Sequence, residues 1–212
     1  MSKHPWSAST VDDFLGFSEM IPCRDAQTSD ALDIDACLMR QVALGDDAAF
    51  ESLVNKYQKP LLNFFVRMGA SSESEDLVQN TYVRLYQYRD RYQPTAKFTT
   101  FLYALAYRVW ADLGRKRQRR ERLRSSLQTI IEIFQPHVPA TAVPAIDVES
   151  ALATLSDKLR HVIVLHFYQG LPYQEIADVL HIPLGTVKSR INLAITALRN
   201  HFHETENPDH PP

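Results

Sequence analysis

Eight basic side chains stand between Arg108 and Arg124, against only two acids, Asp112 and Glu121. Arg108, Asp112, Arg115, Arg119 and Arg122 follow one another at steps of four, three, four and three, so a helix carries them on one face. Lys116, Arg117, Arg120 and Arg124 widen that face. A solvated helix ordinarily mixes both charge signs, so a balance of +6 over this run points to neutralising a phosphate backbone. Tyr103, Tyr107 and Trp110 lie one to two turns earlier and either stack on unpaired bases or pack within the fold.

A second pattern lies at 172–192. Pro172 suits the start of a helix, where a missing amide hydrogen costs least. Ile176, Ala177 and Leu180 form one apolar face, with Ala177 small enough for a second helix to cross closely. His181-Ile182-Pro183 makes the turn, with Ile182 directed at the core and His181 at a left-handed position more often filled by glycine. Val187, Ile191, Ala194 and Leu198 then turn inward. Gly185, Thr186, Lys188, Ser189, Asn192 and Thr196 remain outward, a polar set suited to phosphates and base edges in a major groove. The pair reads as a DNA-binding helix-turn-helix.

Other chemistries find no such pattern. The eight histidines include no HExxH, and His161 and His166, five apart, share a helix face poorly. Cys23 and Cys37 form neither a CxxC pair nor a disulfide framework and read as free thiols in a reducing cytoplasm. No catalytic residue, metal or cofactor is expected, which leaves a helical metal-dependent hydrolase without support. No apolar run approaches the ~20 residues of a membrane span, so no membrane insertion is expected.

The elements that must position these faces are helical. Only six glycines occur in 212 residues, and no strand-like alternation bounded by turn pairs is present. A short helix is predicted from Asp33 to Leu44, stopped at Gly45. Asp46 and Asp47 cap a longer one whose apolar residues, from Phe50 to Met68, keep three-and-four spacing. Pro60 should interrupt and kink it, and Gly69 ends it. Ser72 and Glu75, at capping-box spacing, open a third helix with Leu77, Val78, Thr81, Tyr82, Leu85 and Tyr88 inward. Residues 93–97 form a loop. The fourth helix starts near Thr99, with Phe98, Phe101, Leu102, Leu105, Val109 and Leu113 as its apolar stripe before the basic run begins.

The fold expected is all-α, two small helical domains joined by a flexible linker. Residues 1–35 are expected to form an acidic arm, disordered or a short docking segment, 36–124 a four-helix domain, and 125–147 a proline-containing linker without helical period. Within that linker the apolar cluster from Leu127 to Phe134 should touch a domain or a partner. Residues 148–202 form the helix-turn-helix domain, with helices from Val148 and after Ser156, and 203–212 a polar tail. Formal charge follows the same division: −5 over 1–35, +7 over 36–124 and −4 over 125–212. The chain thus carries one basic block between two acidic ones, and the +6 run within it argues against an interaction protein with no nucleic-acid role.

Three segments carry a family resemblance. Glu75-Asp-Leu-Val-Gln-Asn is similar to the polymerase-binding helix of bacterial sigma factors. Phe98-Thr-Thr-Phe-Leu through Asp112-Leu-Gly-Arg-Lys-Arg resembles their promoter-melting and minus-ten-reading helix. Leu171-Pro-Tyr-Gln-Glu-Ile-Ala with Pro183-Leu-Gly-Thr-Val-Lys-Ser-Arg looks like their minus-thirty-five reader. Order and separation resemble the extracytoplasmic-function group over roughly 36–202.

The resemblance implies a transcription initiation factor that binds core RNA polymerase and directs it to promoters. It implies that Asp76 and Gln79 meet the clamp helices of the largest subunit, with Leu77 and Val78 holding their helix, and that the second domain meets the flap. It places minus-ten DNA on Gln93, Thr95, Lys97, Arg108, Asp112, Arg115 and Arg119, with the loop 92–97 capturing a flipped base. It places minus-thirty-five DNA on Gly185, Thr186, Lys188, Ser189 and Asn192, and it implies an anti-sigma partner. Leu193 and Ile195 stand where relatives commonly carry basic residues, so either duplex contacts are weaker there or Leu193 meets a thymine methyl. The alternative is a stand-alone helix-turn-helix regulator binding operator DNA.

Overall fold

The computed structural model describes residues 33–127 and 148–206. The acidic arm up to residue 32, most of the predicted linker with its apolar cluster, Cys23, and the last six residues lie outside them. Among the described residues there are helices and turns and no strand.

The first unit contains α1 (Ile34–Ala43), α2 (Asp47–Arg67), α3 (Ser74–Gln87) and α4 (Phe98–Leu127). Asp33 caps α1, its Oδ1 accepting the Asp35 and Ala36 amides, and Asp46 does the same for Ala48 and Ala49 at α2. Helix α2 runs unbroken through Pro60, contrary to the interruption its sequence predicts. Leu61 and Phe64 on the following turn are fully buried, and that packing outweighs the one backbone bond proline removes. The expected capping box is also absent. A 3-10 turn, Ser71–Glu73, precedes α3, and the Ser72 hydroxyl donates to the Glu73 carboxylate instead of accepting an amide N–H of the next turn.

Helix α4 is buried on nearly every side from Phe98 to Ala106: α1 and α3 pack on it, and Tyr57 and Phe64 of α2 lie against its Phe98 and Tyr103 rings. Phe64, Phe65 and Phe98 fill the centre, and Phe64 lies against Tyr103 at 5.4 Å between ring centroids. Asp35, itself buried, ties α1 to α2: it pairs with Lys56 at 2.6 Å and accepts from the Tyr57 hydroxyl at 2.6 Å. Burial, reinforced by the Asp35 carboxylate, pushes the Tyr57 pKa up, so this phenol stays a donor.

Asp33 has a second task. Its Oδ2 accepts the Phe98 amide at 2.7 Å, so one carboxylate caps α1 and fastens the start of α4. Asp33→Ala is expected to cost about 2–3 kcal/mol, combining a lost cap with a stranded amide. Denaturant unfolding measures this; a loss below about 0.5 kcal/mol would leave the Phe98 bond without energetic weight.

The second unit holds α5 (Val148–Thr154), α6 (Asp157–Ile163), a π-helical turn (Val164–Tyr168), α7 (Tyr173–Leu180) and α8 (Leu184–Glu206). Arg160 closes the C-terminal end of α5, donating to the Leu152, Ala153 and Leu155 carbonyls at 2.9–3.1 Å. Its Nη1 also comes within 2.8 Å of the position a Cβ on Gly69 would take, and Gly69 has φ +82° as it ends the α2 segment. Helix α8 continues past the predicted domain end at 202 to Glu206.

The two units pack together. Helix α7 lies on α4, and the π-helical turn lies on α2, where Arg67 covers the Tyr168 ring at 4.2 Å. One hydrophobic core includes residues of both units, from Ala36 to Ile191.

Candidate nucleic-acid interface

The second half of α4 presents the basic face. Arg108 is half-buried, residues 115–120 are all exposed, and Arg122 is exposed one turn further. This follows from position: the first half of the helix is enclosed by the bundle, and the second half projects beyond it. Two acids pair with this face, Asp112 from within it and Glu73 from the turn before α3. Asp112 binds Arg84 of α3 at 2.8 Å through Oδ2 and Arg115 through Oδ1, and Glu73 binds Arg117. Arg117 and Ser72 together hold the Glu73 carboxyl below the usual range. Burial lowers the Arg108 pKa, with Arg84 and Arg115 adding to the shift and Asp112 opposing it. Arg84 belongs to this cluster although its spacing within α3 marks only an outward side chain.

Of the loop residues, Gln93 and Thr95 are exposed, the Thr95 amide donating to the Gln93 carbonyl at 2.8 Å. Lys97 is exposed but pairs with Glu175 of α7 at 3.4 Å, and Glu175 also accepts from the Thr100 hydroxyl. The three aromatics are committed to packing rather than to stacking on bases. Tyr103 is buried, and Tyr107 stacks on Trp110 at 5.8 Å and 21°. The Trp110 indole N–H donates to the Met68 carbonyl at 3.1 Å. Both rings meet His161 of α6 edge-on, at centroid distances of 5.4 and 4.5 Å.

On α3, Leu77 and Val78 are buried while Asp76 and Gln79 are exposed, so the helix shows one polar side and anchors itself with the other. Asp76 stands in the first turn, where a carboxylate also suits the helix dipole.

The helix-turn-helix is α7, the turn 181–183 and α8. Val187, Ile191 and Ala194 are buried, whereas Gly185, Lys188, Ser189, Asn192 and Leu193 are exposed and Thr186 is partly so. His181 adopts φ 52°, ψ 49°, the left-handed geometry the turn needs despite the absence of glycine. Burial and the nearby Arg108 charge lower its pKa.

Comparison with known proteins agrees with this arrangement. Residues 53–120 match the family Sigma-70 region 2, and residues 151–200 match Sigma-70, region 4. The extracytoplasmic-function (ECF) RNA polymerase sigma factor SigW of Bacillus subtilis is 32% identical over 178 residues, covering 78% of this chain and 95% of its own. The RNA polymerase sigma-H factor of Pseudomonas aeruginosa is 30% identical over 176 residues, 77% of this chain and 91% of its own. Among solved structures, CnrH in complex with the cytosolic domain of CnrY is similar at TM-score 0.60 and 26% identity, over 80% of this chain and 97% of that one.

The chain belongs to the RNA polymerase sigma factors of the extracytoplasmic-function group. It is a transcription initiation factor that directs RNA polymerase to promoters, a family that is not enzymatic. The match to region 2 over 53–120 sets aside the stand-alone regulator, whose function needs only the helix-turn-helix. Among the described residues no helix is long and apolar enough to cross a membrane.

Proposed function

We propose a division of labour across the chain, acting in the cytoplasm. Asp76 and Gln79 contact the clamp helices of the largest polymerase subunit, with Leu77 and Val78 anchoring their helix in the bundle. Gln93, Thr95 and Lys97 take a base flipped from the non-template strand. The face of Arg108, Asp112, Arg115 and Arg119 serves the adjacent backbone, whose charge contacts offset an unstacking cost of a few kcal/mol. Gly185, Thr186, Lys188, Ser189 and Asn192 engage minus-thirty-five duplex, and the second unit meets the flap. Residues 36–124 and 148–202 act as the two modules, with 125–147 joining them. An anti-sigma factor completes the partner set; the similar chains CnrH and RpoE were solved with the cytosolic domain of CnrY and with the anti-sigma factor NepR.

One observation carries this reading: a single helix, α4, is core over its first half and an exposed basic face over its second. DNA held by that face is therefore in register with the bundle that displays Asp76.

Run-off transcription with purified core polymerase tests the assignment. Asp76→Ala is expected to lower core affinity about tenfold, the value of one charged hydrogen bond. Lys188→Ala is expected to spare core affinity and weaken promoter use roughly threefold, as loss of one phosphate contact does. Equal promoter binding with and without core polymerase would contradict it.

A further inference from the structure

We propose that Asp112 is a positioning residue for promoter recognition, an anion that orients the Arg84 and Arg115 guanidiniums instead of touching DNA. This rests on reading the basic face of α4 as the minus-ten interface.

An acid at the centre of a phosphate-binding face is at first sight a defect, since it repels the ligand. Its surroundings give it another use. Both Asp112 oxygens are engaged, Oδ2 by Arg84 Nη2 at 2.8 Å and Oδ1 by Arg115 Nη2. The carboxylate is recessed: the Asp112 side chain is 22% exposed and that of Arg84 18%, whereas Arg115 is 68% exposed. A pair this shielded persists in salt better than a surface pair. Arg108 lies one turn before Asp112 on the same face, so three guanidiniums crowd around one anion. Without that anion the three repel one another and Arg115 loses its bond to Asp112, and binding must then supply the cost of ordering it.

The bridge also spans two helices. Arg84 lies on α3, the helix that carries Asp76, and Asp112 lies on α4. Arg84 thereby joins the DNA-facing set from the polymerase-facing helix.

Positioning and simple charge make opposite predictions. Full-length chain and its variants, bound to core polymerase, are titrated against fork-junction DNA bearing the minus-ten element and against DNA of equal length without it. Asp112→Ala is expected to raise non-promoter affinity two- to threefold, because one repulsive charge is gone, and to lower promoter affinity five- to tenfold. Asp112→Asn, isosteric and less apt to disturb folding, is expected to lower the promoter to non-promoter ratio at least fivefold, since a lone carbonyl oxygen holds one guanidinium. Asp112→Glu should recover most of the ratio. Arg84→Ala should lower promoter affinity with no gain elsewhere.

Promoter and non-promoter affinities rising together in Asp112→Ala and Asp112→Asn would make Asp112 a mere charge brake and overturn the proposal. So would an unchanged ratio, which marks an ordinary structural ion pair. Arg119→Ala, outside the Asp112 bridge, separates the two levels: if it leaves both affinities unchanged, the minus-ten reading fails and the proposal falls with it.

Discussion

Replacing Arg115, Arg119 and Arg122 together by alanine is expected to weaken holoenzyme binding to opened promoter DNA roughly a hundredfold near 0.1 M salt. Each of these arginines releases counterions when it meets a phosphate. Each contact with a single strand contributes about 0.7 to the slope of log affinity against log salt, so three contribute about 2. All three side chains are exposed on the projecting half of α4, beyond the part enclosed by the bundle. Their loss leaves the core of Phe64, Phe65 and Phe98 untouched, so the melting temperature should hardly move. The decisive measurement is the salt slope with and without the substitutions. A slope unchanged within about 0.5 would place DNA elsewhere on the molecule.

The second large effect is a response to acid at the junction of the two units. His161 is buried against Tyr107 and Trp110 of α4, and its Nε2 has no hydrogen-bond partner. Burial lowers its pKa from 6.5 to about 4; Arg160 and Arg190 act in the same sense and Asp157 opposes them. Tyr107, the titratable group facing it from α4, stays neutral because burial raises its own pKa.

The closed form binds fewer protons than an open or unfolded one between pH 6.5 and 4, so closure is fully favoured above 6.5 and weakens as pH falls through that window. The loss is roughly 2 kcal/mol at pH 5 and about 3 kcal/mol by pH 4. Parting the units would expose His161 to solvent, so the expected acid response is their separation. It also releases Lys97 and Thr100 from Glu175. Small-angle scattering should show the radius of gyration of the free chain rising between pH 7 and pH 5, and a His161→Phe variant should resist. The same rise in that variant would assign the acid response to other groups.

Much of this was legible from local pattern. The caps Asp33 and Asp46, the stops at Gly45 and Gly69, and the buried series Val187, Ile191 and Ala194 obey rules that act within a few residues. His181 is a finer case: the turn geometry demanded a left-handed residue, and the histidine there adopts φ 52°. The same local rules misread two places. Pro60 did not break α2, because burial of the next turn outweighs one lost bond. Ser72 and Glu75 had capping spacing, but a 3-10 turn redirects the Ser72 hydroxyl to Glu73.

By itself the sequence determined which segments are helical and that one helix passes from apolar to basic along its length. Periodicity, capping and charge density are properties of neighbours in the chain, and they survive without any knowledge of the fold. Tertiary structure alone decided that Arg84 reaches Asp112, 28 residues away, that Tyr107 and Trp110 meet His161 instead of bases, and that Glu175 crosses 75 residues to Thr100. Those pairings depend on how two helix surfaces fit when docked, and complementarity between distant surfaces leaves no period in either of them.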